Sequence, residues 1–84
     1  MPLSYSQSTK ITGTVTDQST GEPIPFVNIK LKDVDEGTIT DFNGQYKIDT
    51  KLISDTIVFS YIGYKEVRKK IQKNQFQRLN IEME

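Results

Sequence analysis

Five oxygen-bearing side chains in the middle of the sequence have the chemistry of a cation site. They are Asp33, Asp35, Glu36, Asp41 and Asn43. Carboxylate and amide oxygens at alternate positions are ligands that Ca²⁺ accepts. The stretch lacks the complete spacing of a calcium-binding loop and its closing bidentate glutamate. We therefore interpret these side chains as solvated loop residues and predict no metal ion.

Few side chains in this sequence are suited to catalysis. The 84 residues include no His and no Cys, which excludes disulfides, thiolate or imidazole metal sites, and nucleophiles that need a His or Cys partner. Asp33 and Asp41 could act as a general acid–base pair, but such a pair needs a cleft, and a domain of this size rarely encloses one. No serine lies in a nucleophile-elbow pattern, and no glycine-rich loop opens a helix. The chain is therefore predicted to be non-enzymatic and to need no cofactor.

Tyr61 and Tyr64 flank Gly63 and could form a stacking platform for a sugar or a peptide. Tyrosines on either side of a bulge in a strand are more often packing residues at the rim of a core. We therefore retain these two tyrosines as possible interaction residues and leave the ligand unspecified.

The basic side chains near the carboxyl end could contact phosphate or lipid headgroups. They are Lys65, Arg68, Lys69, Lys70 and Lys73. The whole chain has 11 basic and 11 acidic residues and no net charge, and this run contains no interleaved exposed aromatics. A solvated strand face, or a sheet edge protected by lysine against aggregation, is the better interpretation. We predict no nucleic-acid partner and no direct membrane insertion.

The elements that position these residues are predicted to be β-strands. The sequence contains no alanine, and 32 of its 84 residues are Val, Ile, Thr, Phe or Tyr. Such side chains fit a pleated, half-buried surface and lose rotamer freedom in a helix. About seven short strands recur at intervals of 8–12 residues, which predicts an all-β, antiparallel sandwich of two sheets.

Alternating apolar residues identify the predicted core. One buried and one exposed face produce a period of two along each strand. Residues 56–62 carry bulky apolar side chains at odd and at even positions, which predicts a central strand covered on both faces. Gly63 is predicted to interrupt this strand as a bulge or sharp bend. The predicted inward positions are Ile11, Val15, Val27, Ile29, Leu31, Ile39, Tyr46, Ile48, Ile57, Phe59, Val67, Leu79 and Ile81.

Residues 41–44, with the sequence DFNG, predict a turn between two strands. Asp41 can accept hydrogen bonds from backbone amides of the turn, and Gly44 can adopt a positive φ without a Cβ clash. A type I turn closed by a glycine bulge would join the strands as a hairpin, so a valine at position 44 should destabilise the domain. The structural turn residues predicted along the chain are Gly21, Pro23, Gly37, Asp41, Asn43, Gly44 and Gly63.

Residues 1–8 carry no pattern of a packed element and are predicted to be a disordered leader. An alternative is the remnant of a secretory signal peptide, with Ser4 and Ser6 as the small residues flanking the cleavage point and Gln7 opening the mature protein. The domain proper is predicted to span residues 9–84.

Four separated motifs occur in an order that resembles the carboxypeptidase-regulatory-like domain, a prealbumin-like (transthyretin-like) sandwich. They lie at residues 13–17 (GTVTD), 21–29 (GEPIPFVNI), 37–46 (GTITDFNGQY) and 59–64 (FSYIGY). The resemblance runs from about Lys10 to Met83. It implies a non-catalytic accessory domain, and it supplies no catalytic residue to transfer.

The resemblance also implies a cellular setting. Domains of this kind occur at the N-terminus of TonB-dependent outer-membrane receptors and other envelope proteins of Gram-negative bacteria, and beside metallocarboxypeptidases. The expected function is an interaction module of an exported protein in the periplasm or outer membrane, with a neighbouring domain or an envelope protein as partner. A carbohydrate- or peptide-binding module and a folding-assistance domain of a metallocarboxypeptidase are the alternatives.

Overall fold

A computed structural model describes residues 8–84. The predicted leader, except for residue 8, lies outside the described residues. Within residues 8–84 the chain forms eight β-strands and no helix, which confirms the all-β prediction. No helix that could cross a bilayer is therefore found in this part of the chain. The strands are β1 Thr9–Asp17, β2 Asn28–Leu31, β3 Gly37–Ile39, β4 Gln45–Thr50, β5 Thr56–Ser60, β6 Val67–Lys70, β7 Phe76–Arg78 and β8 Ile81–Met83.

The strands form two four-stranded sheets, which confirms the predicted sandwich. The first sheet has the order β4-β1-β7, with β8 also paired to β1. The second has the order β3-β2-β5-β6 and is antiparallel throughout. The first sheet differs from the prediction because β7 and β8 both run parallel to β1. Alternation shows which face a strand buries but does not give its direction.

The two ends of the molecule carry different loops, and the chain passes from one end to the other. The Thr9 end holds the start of β1 and the β2–β3, β4–β5 and β6–β7 connections. The Glu84 end holds the end of β8, the turn after β1, and the β3–β4 and β5–β6 connections. The first and last strands therefore place the two limits of the domain at opposite ends.

The buried core agrees with most of the predicted inward positions and adds Ile24, Ile71 and Met83. Val67 and Leu79 are half-buried and pack against its margin. The buried core consists of Ile11, Val15, Ile24, Val27, Ile29, Leu31, Tyr46, Ile48, Ile57, Phe59, Ile71, Ile81 and Met83.

Ile39 was wrongly predicted to face inward and is 51% exposed. Its neighbour Thr40 is fully buried instead. The Thr40 hydroxyl donates to the carbonyl of Ile24 at 2.7 Å and accepts the Val27 amide at 2.9 Å. Burying these backbone groups without partners would cost free energy, so a hydroxyl at this inward position stabilises the crossing from β1 to β2.

The prediction that residues 56–62 are covered on both faces is also wrong. Ile57 and Phe59 are fully buried, whereas Val58 is only half-buried. Ile62 lies beyond the end of β5 and is 89% exposed. The domain has two layers only, so the outer face of the second sheet meets solvent.

The turn at residues 41–44 has the predicted hydrogen bonds but joins strands of different sheets. One Asp41 carboxylate oxygen accepts the amides of Asn43 and Gln45, each at 2.9 Å. The Gly44 amide donates to the Asp41 carbonyl at 2.9 Å, and Gly44 has a φ of 72°. Since β3 pairs with β2 and β4 pairs with β1, the turn forms a corner between the layers and not a two-stranded hairpin.

A break in the last strand separates β7 from β8 beside Gly13. The Leu79 amide donates to the Thr12 carbonyl at 2.8 Å, and the Asn80 side chain accepts the Thr14 amide at 3.0 Å. The Tyr46 hydroxyl donates to the Leu79 carbonyl at 2.6 Å. One backbone hydrogen bond and two side-chain hydrogen bonds thus hold the break in place.

We expect Tyr46→Phe to lower the free energy of unfolding by about 1–2 kcal/mol, because it leaves the partly buried Leu79 carbonyl without its phenol donor. The ring would keep its edge-to-face contact with Phe59, at 5.4 Å between centroids. Urea denaturation of the two proteins measures the difference. An unchanged midpoint would contradict this role for the hydroxyl.

Candidate functional site

Tyr61 and Tyr64 are the first and last residues of a tight turn after β5. The Tyr64 amide donates to the Tyr61 carbonyl at 3.1 Å, and Gly63 has a φ of 89°. Gly63 therefore lies in a tight turn, which is the sharp bend and not the bulge among the two predicted alternatives. The tyrosine rings are 6.1 Å apart and tilted by 35°, with both rings packed against the core. Ile62 projects from the corner between them.

The Tyr64 hydroxyl is held by a carboxylate from β1. It donates to Asp17 at 2.7 Å, and the other Asp17 oxygen accepts the Ser19 hydroxyl at 2.7 Å and the Thr20 amide at 3.1 Å. The hydrogen bond from Tyr64, followed by that from Ser19, holds the pKa of Asp17 well below its usual range. The same bond raises the pKa of Tyr64. Tyr64 therefore fixes the β5–β6 turn to the end of β1.

We expect stability to fall on acidification partly through Asp17, and Tyr64→Phe to reduce that fall. Because the pKa of Asp17 is lower in the folded state, its contribution is present above the ordinary aspartate pKa of about 4 and is lost as the pH decreases below it. Urea midpoints measured from pH 6 to pH 2.5 give the dependence. Tyr61→Phe retains the Asp17–Tyr64 bond and is the matched control. Equal acid dependence in the parent and Tyr64→Phe would contradict the coupling.

A second aromatic pair lies at the same end and was not identified from the sequence. Phe26 and Phe42 meet edge-to-face with ring centroids 5.2 Å apart. They are 46% and 78% exposed. Phe26 has a φ of 65° and its amide donates to the Thr40 carbonyl at 3.0 Å. The signal available in the sequence was a bulky phenylalanine inside each of two turn-rich segments.

The two aromatic pairs and Ile62 lie at the same end of the sandwich, and we call them together the Glu84-end apolar surface: Phe26, Phe42, Tyr61, Ile62 and Tyr64. The register places their connections at neighbouring strand ends, because Asn28 of β2 pairs with Ile39 on one side and with Ser60 on the other. The start of β2 therefore lies between the end of β3 and the end of β5. The surface offers apolar contact area and the two tyrosine rings.

The predicted acidic cluster is not brought together. Asp33, Asp35 and Glu36 lie in the β2–β3 loop at the Thr9 end, whereas Asp41 and Asn43 lie in the turn at the Glu84 end. In residues 8–84 no group of three His, Cys, Asp or Glu side chains is placed to hold a metal ion. Asp33 and Asp41, which were considered as an acid–base pair and not adopted, are divided in the same way.

The other predicted turn residues lie in connections or at a strand end, and the basic residues lie in two connections and on an edge strand. Gly21 has a φ of 76° and its amide donates to the Asp17 carbonyl, Pro23 bridges to Thr16, and Gly37 begins β3. The basic run is divided by structure. Lys65 lies in the turn at the Glu84 end, Lys73 in the β6–β7 loop, and the three basic residues between them on β6, an edge strand of the second sheet.

Comparison with known proteins identifies a matching family and relatives that cover about two thirds of the chain. A family model described as CarboxypepD_reg-like domain matches residues 11–84. The TonB-dependent receptor SusC of Bacteroides thetaiotaomicron is 42% identical over 60 residues, which are 71% of this chain and 6% of the receptor. The TonB-dependent receptor P39 of Formosa agariphila is 42% identical over 55 residues, which are 66% of this chain and 5% of that receptor. The chain thus matches only a small fraction of these relatives.

Solved structures share the fold at low identity. A cohesin–X-dockerin complex from Acetivibrio cellulolyticus contains a chain that matches with a TM-score of 0.64 and 18% identity, over 87% of this chain and 52% of that one. A 9R-lipoxygenase from Cyanothece matches with a TM-score of 0.55 and 15% identity, over 89% of this chain and 16% of the enzyme. At these identities the similarity is one of fold alone.

Proposed function

The chain belongs to the carboxypeptidase-regulatory-like domain family, and we propose that it serves as a non-catalytic accessory and interaction module of a larger exported envelope protein. More specifically, we propose an N-terminal extension of a TonB-dependent outer-membrane receptor or a similar protein. The proposed location is the periplasm or the outer membrane of a Gram-negative bacterium.

The observation that carries the proposal is the unequal coverage of the matches. The similarity to SusC extends over 71% of this chain but only 6% of the receptor. A domain that recurs as a small part of a large receptor is expected to support the rest of that polypeptide and not to act alone. Identities of 36–44% to four such receptors support the same assignment.

The geometry of the domain suits attachment to a larger polypeptide. The start of β1 and the end of β8 lie at opposite ends of the sandwich, so a connection at the end of β8 leaves the other end free. The carbohydrate- or peptide-platform alternative has less support, because Tyr64 is held by Asp17 and both tyrosines pack against the core.

Locating the parent polypeptide tests this function. An antibody raised against the 84-residue chain would be used to immunoblot cytosolic, inner-membrane and outer-membrane fractions of the source cells. We expect one band many times larger than 9.6 kDa in the outer-membrane fraction. A cytosolic band, or a band at 9.6 kDa alone, would contradict the proposal.

A further inference from the structure

We propose that the Glu84-end apolar surface is the docking face for the domain that follows this one in the same polypeptide. This inference rests on the proposed function, since it requires a following domain. The occupant we infer is a folded neighbour whose contact face is apolar at its centre and basic at its margin.

The first argument is where the chain leaves the domain. The Lys65 amide donates to the Glu84 carbonyl at 2.7 Å, and the Gln18 amide donates to the Met83 carbonyl at 2.9 Å. Residue 84 is therefore anchored beside the turn that carries Ile62 and Tyr64. A domain connected to residue 84 would be tethered beside this surface, and tethering raises its effective concentration there.

The second argument is the exposure of large apolar side chains at this end. Ile62, Phe42 and Phe26 project into solvent from three neighbouring connections. Phe26 also has a positive φ, a conformation that is unfavourable for a bulky residue. The backbone thus holds an aromatic ring outward at a cost in strain. Exposed apolar side chains grouped at one end of a domain within polar surroundings are typical of interaction sites.

The third argument is the charge around the surface. Glu22, Asp41 and Glu84 belong to the turns and the strand end that border it, and Lys65 is the basic residue among them. An acidic margin favours a partner that places lysine or arginine there. A second copy of this chain, docked through the same surface, would place acidic margins against each other, which argues against self-association.

Hydroxyl-radical footprinting of two polypeptides tests the proposal. One is the 84-residue chain, and the other is the full-length parent that contains it. Oxidation of Phe42 reports on the Glu84 end, and Phe76, which is 62% exposed at the Thr9 end, is the internal control. We expect oxidation of Phe42 relative to Phe76 to be about fivefold lower in the full-length polypeptide, because water is excluded from the centre of an interface.

Matched substitutions at the two ends separate docking from general effects. Ile62→Asp in the full-length polypeptide should restore Phe42 oxidation to the level of the 84-residue chain. Ile53→Asp, at a residue 60% exposed at the Thr9 end, should leave the protection intact. Both side chains project into solvent, so both variants should fold.

Three outcomes would overturn the proposal. The first is equal Phe42 oxidation in the two polypeptides, and the second is equal loss of protection in the two variants. The third is protection of Phe42 that grows with concentration in the 84-residue chain alone, which would indicate a second copy as the occupant. Failure of docking is distinct from failure of the proposed function. A polypeptide found in the outer membrane with Phe42 unprotected would contradict docking only, whereas a polypeptide absent from the envelope would contradict the function.

Discussion

Replacing Gly13 with alanine is expected to lower the free energy of unfolding by at least about 3 kcal/mol. A Cβ at this position would overlap the carbonyl oxygen of Leu79 and lie 2.7 Å from its carbonyl carbon. These are backbone atoms and cannot rotate away as a side chain would. The strand break must move, and with it the hydrogen bonds of Leu79 to Thr12 and Tyr46. A domain of this length has only about 4–13 kcal/mol of stability in total.

Gly63→Ala is the matched control for that experiment. Gly63 has a φ of 89°, but a Cβ there would meet nothing within 4 Å. Only the conformational penalty of about 1–2 kcal/mol applies. Gly13 has no positive φ, so its substitution reports the collision alone. Urea denaturation should rank Gly13→Ala as the more damaging change, and the reverse order would show that the strand break tolerates a side chain.

Replacing Gly44 with valine should have an effect of similar size, through two causes at once. Gly44 has a φ of 72°, a conformation that β-branched residues avoid. A Cβ there would also lie 2.6 Å from the Val15 carbonyl oxygen and 2.9 Å from Pro23. The two costs together give an expected loss of about 3 kcal/mol or more. The substitution would disturb the corner between the sheets, because the Val15 amide donates to the Gly44 carbonyl at 2.8 Å.

Asparagine at the same position separates the two causes. Asparagine tolerates a positive φ but brings the same Cβ. Gly44→Asn should therefore remain strongly destabilised. Gly21→Asn should be mild, because Gly21 has a φ of 76° and open space around it. Equal melting temperatures for Gly44→Asn and the parent would show that the collision is relieved by a small local shift.

The architecture was predictable because side-chain type and alternation report burial directly. Ile11, Val15 and Phe59 follow that rule and are fully buried. Ile39 does not, because the inward position beside it is used by a threonine that satisfies two backbone groups of another connection. Local sequence contains no information on that distant requirement.

The division of the last strand is another feature that alternation could not show. Residues 79, 81 and 83 alternate without interruption, yet β8 starts only at Ile81. The break is produced by the contact of Leu79 with Gly13 and by the hydrogen bond from the Thr14 amide to the Asn80 side chain. The two residues of each pair are 66 positions apart in sequence. A glycine inside a strand pattern was the available indication of a close backbone approach.

The candidate site was partly predictable for a similar reason. Tyr61 and Tyr64 could be selected from their spacing around Gly63. Phe26 and Phe42 could not be joined to them, because their proximity depends on how β2 lies between β3 and β5. Sequence identified the residues of one connection, and the tertiary structure joined three.

The parallel pairing of the first and last strands determines how the domain would respond to tension. Val15 of β1 pairs with Ile81 of β8, and Lys10 pairs with Phe76 of β7. A pull on Thr9 in one direction and on Glu84 in the other would slide these strands along each other. Their backbone hydrogen bonds would then bear the load together and not open one after another. The parallel pairing therefore opposes separation of Thr9 from Glu84 through shear of β1 against β7 and β8.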